Sequence, residues 1–233
     1  MRVPLFSSLR RPALIATRGI DGVLTSGAVL RLLDADPATV PLLVCNGGDS
    51  VDCVDLAPLP PASEVVIVDL AFVQKKTVEF LKHLRDAGHT LRAILSASRR
   101  APWLEACAEV GVRPDALLVL PEDYDLNRWP SSGRVLKEAL FAKAREEFAR
   151  DPGGLLPNAD FYASVFELVG AVDSVLQDFH YNHPLARLVY EATCSSFFDL
   201  TRPVHIARAL AAGTHAVDPV IAAWQAESRA IPR

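Results

Sequence analysis

The sequence predicts an α/β fold: a five-stranded, mainly parallel sheet flanked by helices, followed by a helical C-terminal part. Five short apolar runs are continuous rather than alternating, which is typical of strands covered on both faces of a parallel sheet. Segments with helical periodicity separate these runs, and strands alternating with helices indicate βαβ units. The predicted strands are 13–17, 41–45, 64–70, 91–96 and 116–120.

Helical patterns fill the rest of the chain. A tight turn at Asp21-Gly22 is predicted to precede the first helix. Between the strands we expect helices over 26–33, 73–84 and 104–110. The second half is predicted to be helical over 131–151, 159–178, 184–198, 203–212 and 219–229.

This organisation predicts one domain over residues 1–233, with 180–233 as a helical C-terminal extension packed on it and no second lid domain. The apolar positions of the extension leave two roles open. They either dock on the domain or form the face of a homodimer or of a complex with a protein partner.

The composition excludes several classes of protein. A net charge of -4 and a pI near 5.9 argue against a large basic face for duplex nucleic acid. The four cysteines lie far apart, which argues against a zinc ribbon or a disulfide framework. No apolar run approaches the roughly 18 residues that a membrane helix needs, and the N-terminus lacks a signal-peptide core. We therefore expect a cytoplasmic protein with no membrane partner.

Two carboxylates follow strands of the predicted sheet, at the edge where open α/β sheets bind ligands. Asp21 comes after the first strand and Asp69 directly after the third. Such a pair can share Mg²⁺ or Mn²⁺, which favour oxygen ligands. In the alternative interpretation Asp21 is a turn residue and Asp69 caps the helix that follows.

The order of several motifs resembles the DHH phosphoesterase superfamily, which includes manganese-dependent pyrophosphatases, exonucleases, oligoribonucleases and cyclic-dinucleotide phosphodiesterases. "ATRGIDG" is similar to the family's first motif, His-x-Asp-x-Asp-Gly, and "EVVIVDLAF" to its second. "GHTLRAILSAS" lies where the family has a strand followed by Asp-His-His. "SSGRVLKEAL" is similar to the helix after it, and "FELVGAVDSVL" to the stretch with the last Asp. The resemblance covers roughly residues 12 to 180.

The chain departs from this family at most of the metal ligands. Thr17 stands where the family has its first histidine, and Gly19 where it has its first aspartate. Ser96, Ala97 and Ser98 stand in place of Asp-His-His. The resemblance therefore implies that only Asp21, Asp69 and Asp173 remain as metal ligands. They would hold one weakly bound Mn²⁺ or Mg²⁺ ion, or none.

Arginines lie inside the altered motifs. Arg18 falls in the first, and Arg99 and Arg100 follow the third directly. Because guanidinium groups bind phosphate without a metal, these arginines with Ser96 and Ser98 predict a phosphate site. Alternatively, the arginines are solvated or paired with the carboxylates.

Other candidates have plain structural interpretations beside functional ones. Asp178, His180 and His183 have metal-ligand residue types but fit a loop before a helix. Trp103 and Trp129 are predicted in loops flanking the fifth strand, where they stack a base or cover the sheet edge. The glycine-rich stretch 46–49 lacks the lysine and length of a P-loop.

Two functions remain open from the sequence. In the first, the protein is a catalytically degenerate DHH-like domain that binds a phosphate-containing small molecule, a nucleotide or a protein partner. In the second, it is a divergent Mg²⁺- or Mn²⁺-dependent phosphoesterase with a single ion, acting on nucleotides, short single-stranded oligonucleotides or polyphosphate.

Overall fold

The computed structural model describes residues 6, 9–33, 35–45, 54–124, 130–150, 159–177, 183–194, 201–213 and 217–230. The strands are β1 (Pro12–Thr17), β2 (Leu42–Cys45), β3 (Glu64–Val68), β4 (Thr90–Arg99) and β5 (Ala116–Leu120). The helices are α1 (Ile20–Leu32), α2 (Gln74–Asp86), α3 (Arg100–Val110), α4 (Ser132–Arg150), α5 (Ala159–Gln177), α6 (Pro184–Cys194), α7 (Thr201–Ala212) and α8 (Val217–Ala230).

The five strands form one parallel sheet in the order β2-β1-β3-β4-β5, which confirms the predicted fold class. The chain moves from β1 to one edge, at β2, and then returns past β1 to build the other side from β3 onward. The order therefore reverses between β1 and β3. In doubly wound sheets this switch point, outside the carboxyl ends of the strands, is where ligands bind.

Side chains alternate between two apolar cores, one on each face of the sheet. In β1, Leu14 and Ala16 face the core shared with α1 and α4 to α7, whereas Ala13 and Ile15 face the core under α2 and α3. Since both faces are covered, the strands need no polar positions. This explains why they are continuous apolar runs in the sequence.

Helix α1 begins earlier than predicted. It starts at Ile20, so Asp21 and Gly22 lie in its first turn and the predicted tight turn is wrong. A carboxylate near a helix N-terminus interacts favourably with the helix dipole, which makes Asp21 compatible with this position. Gly22 lets the first turn lie directly against β1, because a Cβ there would meet the Thr17 carbonyl oxygen at 2.3 Å.

Helix α3 also begins earlier, at Arg100, so the prediction that Trp103 lies in a loop is wrong. Trp103 is fully buried, and its ring meets Phe72 edge-on with centroids 5.3 Å apart. Burial of this large side chain against the sheet stabilises the packing of α3.

The C-terminal helices pack on the sheet through α1. Gly27 of α1 lies so close to α7 that a Cβ there would be 2.7 Å from the Leu210 Cβ. In α7, Ile206, Ala207 and Leu210 are buried. They belong to the same core as Leu14 and Ala16 of β1. Across the described ranges, no helix combines the length and the apolar character needed to cross a membrane.

Candidate ligand-binding site

A cleft opens at the carboxyl edge of the sheet, at the switch point between β1 and β3. It encloses about 590 Å³, within the usual range for small-molecule sites. Its walls come from the ends of three neighbouring strands, β1, β3 and β4. The lining residues are Thr17, Arg18, Gly19, Asp69, Leu70, Ala71, Phe72, Ser96, Ala97 and Ser98.

Behind the cleft, the carboxylate of Asp21 is held by the N-terminus of α4. The backbone N–H groups of Ser132 and Gly133 donate to it at 2.6 and 3.1 Å. The Thr25 hydroxyl, one turn along α1, donates at 2.8 Å. Asp21 thus accepts two donors that a helix N-terminus would otherwise leave without partners.

Asp69 is fixed by two hydroxyl groups. Thr17 Oγ1 donates to one carboxylate oxygen and Ser132 Oγ to the other, each at 2.8 Å. The Asp69 backbone has a φ of 58°, in the left-handed region that non-glycine residues rarely adopt. The alternative interpretation of Asp69 as a helix cap is wrong, because the residue that precedes α2 is Val73. Asp69 turns instead toward Asp21 and Ser132.

A hydrogen bond between the two carboxyl groups raises the pKa of Asp69 and lowers that of Asp21, which is the pattern expected when Asp69 carries the proton. Burial raises the pKa of Asp69 well above its ordinary value, and the negative charge of Asp21 raises it further. Burial also raises the pKa of Asp21, against the lowering effect of its hydrogen bonds from Ser132, Thr25 and Gly133. The pair therefore retains a proton where two isolated aspartates would have lost theirs.

This shared proton predicts that stability falls as pH rises. Between the unfolded pKa of aspartate, about 3.9, and the raised pKa of folded Asp69, the folded protein binds more protons than the unfolded chain. The contribution is fully present below the unfolded pKa and is lost as pH rises through the folded pKa. In urea unfolding, the free energy of unfolding should decline above about pH 4 in the wild type but much less in Asp69→Asn.

Glu64 has the opposite effect on how stability depends on pH, because its pKa is lowered in the folded protein. Although burial raises its pKa, backbone hydrogen bonds from Arg11 and Arg10 lower it more. Its contribution is lost as pH falls, but it is the same in both proteins and cancels in their difference. A difference between wild type and Asp69→Asn that does not change with pH would contradict the shared proton.

The third predicted metal ligand, Asp173, has a different partner. It is only 4% exposed, and its Oδ2 accepts a hydrogen bond from Lys137 Nζ at 2.7 Å across α4 and α5. The structure therefore joins Asp21 and Asp69 but does not bring Asp173 to them. Within the described parts of the chain, no three His, Cys, Asp or Glu side chains are grouped to hold a metal ion.

These residues do not fit the metal that the resemblance implies. Protein donors already contact both oxygens of Asp21 and both oxygens of Asp69. A cation at this place would have to share these oxygens with hydroxyl and backbone N–H donors, and among the described residues it would have only two carboxylates as ligands. Lys137 supplies the positive charge at Asp173. Binding of Mn²⁺ or Mg²⁺ stays a prediction that a titration tests.

The segment Ser96-Ala97-Ser98 lies at an irregularity in β4, where the register with β5 shifts between Ser96 and Arg99. Such bulges re-aim side chains near functional sites. Trp103 Nε1 donates to Ser98 Oγ at 2.6 Å, and Ser96 Oγ donates to the Leu70 carbonyl at 2.9 Å. The two serine oxygens are 2.7 Å apart. Because Ser96 has already given its hydrogen to Leu70, Ser98 must be the donor between them.

The predicted phosphate-binding residues therefore fall into two groups. Arg18, Ser96 and Ser98 line the cleft, but the hydroxyl hydrogens of the two serines point at protein acceptors. Arg99 and Arg100 are exposed at the start of α3 and are not among the lining residues. Phosphate binding by this set stays a prediction.

Several candidates lie outside the described residues: the stretch 46–49, Trp129, Asp178 and His180. His183 is described, exposed before α6, and its Nδ1 accepts the Leu185 N–H at 3.3 Å. It acts there as a helix cap.

Sequence reasoning missed Ser132, Gly133 and Lys137 as components of the site. The serine pair Ser131-Ser132 indicates only the start of a helix, and Ser131 does cap α4 by accepting the Arg134 N–H at 3.1 Å. The neighbouring Ser132 is what links Asp21 to Asp69. The signal in the sequence was Gly133, a glycine in the first turn of a helix. It indicates that this turn packs closely, and a Cβ on Gly133 would be 2.7 Å from Leu176 Cδ1.

Fold and site together define an α/β domain with a doubly wound parallel sheet and a small-molecule-sized cleft at its switch point. Comparison with known proteins adds no family: no family model, no curated protein and no solved structure matches this chain.

Proposed function

We propose that this domain is a non-catalytic binding module that holds an anionic small molecule in the cleft without a metal. The observation that carries the proposal is the set of hydrogen bonds that fixes the carboxylates of Asp21 and Asp69. Their four oxygens are contacted by Thr17, Thr25, Ser132 and Gly133. The proposal treats the domain as a degenerate relative of the DHH phosphoesterases that its sequence resembles, with the metal chemistry replaced by a proton and hydroxyl groups.

Hydrolysis of phosphate esters needs a means to activate water and to neutralise the charge that develops on phosphate. Two-metal enzymes use the ions for both tasks. In this chain Asp69 is engaged with Thr17 and Ser132, and Asp173 with Lys137. The proposal assigns none of these carboxylates the role of a metal ligand and therefore contains no hydrolytic step.

The charge of Arg18 supports anion binding. It lies directly after β1, half-buried in the lining of the cleft, where a guanidinium binds anions bidentately. Exposed Arg99 and Arg100 add positive charge at the start of α3, next to lining residue Ser98. Attraction by these charges favours the encounter with an anion over that with a cation.

Backbone amide NMR tests this proposal with two probes, sodium acetate and inorganic phosphate. We expect at least one probe to shift resonances in 17–19, 69–72 and 96–98, and Arg18→Gln to weaken that binding about tenfold. The matched control is Arg31→Gln, at the exposed end of α1, which should leave the affinity unchanged. Shifts that avoid the cleft, or that survive Arg18→Gln, would rule the proposal out.

A further inference from the structure

The side-chain hydroxyl donors among the described lining residues of the cleft are few. Thr17, Ser96 and Ser98 are the lining residues with hydroxyl groups, and each directs its hydrogen to a protein acceptor. Thr17 donates to Asp69, Ser98 to Ser96, and Ser96 to the Leu70 carbonyl. Each hydroxyl has one hydrogen, so these three side chains can offer a ligand only lone pairs.

Charge among the described lining residues is also limited. Among its lining residues, Arg18 is the single cation and Asp69 the single acid, with Asp21 close behind. A phosphate group carries close to two negative charges at pH 7 and three acceptor oxygens. One guanidinium balances one charge and matches the two oxygens of a carboxylate in a fork-to-fork contact. A second negative charge would lie beside the Asp69 oxygens, since Arg99 and Arg100 are exposed outside the described lining of the cleft.

The remainder of the lining is apolar. Leu70, Ala71, Phe72 and Ala97 form this part of the wall. Phe72 is half-buried and held edge-on by fully buried Trp103, which fixes its ring beside the cleft. A rigid aromatic wall favours an apolar or aromatic body on the ligand.

We infer that the cleft takes an amphipathic monoanion: a carboxylate with an apolar or aromatic body, rather than a phosphate. This inference rests on the proposed function, since it names the class of anion that the same cleft binds. The carboxylate lies on Arg18, and the apolar body lies on Phe72 and Ala97.

Calorimetry with matched probes tests the inference. 4-Phenylbutanoate and 3-phenylpropyl phosphate share an apolar body and differ in the anionic group, whereas 3-phenylpropanol lacks the charge and acetate lacks the body. We expect 4-phenylbutanoate to bind at least tenfold more tightly than any of the other three. Arg18→Gln should remove that preference over 3-phenylpropanol, and Phe72→Ala should remove the preference over acetate.

The outcomes separate this inference from the proposed function. If 3-phenylpropyl phosphate binds as tightly as 4-phenylbutanoate or more tightly, and Arg18→Gln weakens it, the inference is overturned and anion binding in the cleft stands. If no probe binds, or if 3-phenylpropanol binds as well as the anions, both fail. Thermal unfolding of Phe72→Ala shows whether loss of the Trp103 contact has lowered the stability of the protein. If it has, Phe72→Leu is used instead, because leucine keeps the wall of the cleft apolar.

Discussion

Replacing Asp21 by Asn should destabilise the protein by about 3 kcal/mol, because it places a donor against donors that cannot turn away. One Asp21 oxygen faces the Ser132 N–H and the other faces the Gly133 N–H and the Thr25 hydroxyl. Whichever way the amide of Asn is oriented, its NH₂ group meets a backbone N–H. Urea unfolding measures the effect directly, and the melting temperature should fall by roughly 6–12 °C.

Asp69→Asn is the matched control, since it makes the same chemical change on the other member of the pair. The partners of Asp69 are hydroxyl groups of Thr17 and Ser132, which rotate and can accept as well as donate. An amide also donates to Asp21 as the shared proton does. We expect a change within about 1 kcal/mol. Equal and large losses in both variants would contradict the shared proton.

Replacing Gly22 by Ala should cost about 3 kcal/mol or more and should also disturb the cleft. The added Cβ would meet both the carbonyl oxygen and the Oγ1 of Thr17 at 2.3 Å. A backbone carbonyl within a parallel sheet cannot move aside alone, so the first turn of α1 must shift away from β1. Since this turn carries Asp21 and follows Arg18, anion binding should be lost together with stability.

Gly170→Ala provides the comparison within the same chain. Gly170 lies inside α5, and a Cβ there would have no neighbour within 4 Å. Alanine forms helices better than glycine by up to about 1 kcal/mol, so this variant should be slightly more stable than the wild type. Equal effects of the two substitutions in thermal unfolding would show that the close contact at Gly22 does not exist.

The sheet was predictable because its evidence is local. Each of the five strands is a continuous apolar run, and burial on both faces produces that pattern directly. The start of α1 was not predictable from such a pattern. Asp21-Gly22 is a common turn sequence, and the close approach that makes Gly22 necessary involves Thr17, which precedes the helix.

The candidate site was predictable only in part. Asp21 and Asp69 meet because parallel strands bring their carboxyl ends to one edge, a rule that needs no coordinates. The partners of these carboxylates were not foreseen, because Ser132 lies 111 residues beyond Asp21 in the chain. Similarly, the ion pair between Lys137 and Asp173 depends on how α4 packs against α5, and nothing in the local sequence marks it.

Calorimetric titration with Mn²⁺, and then with Mg²⁺, shows directly whether a proton and hydroxyl groups have replaced the metals. We expect no saturable site for either ion up to millimolar concentration, in the wild type and in Asp69→Asn alike. One site per chain with micromolar affinity, abolished by Asp69→Asn, would contradict it and would favour the phosphoesterase with a single ion.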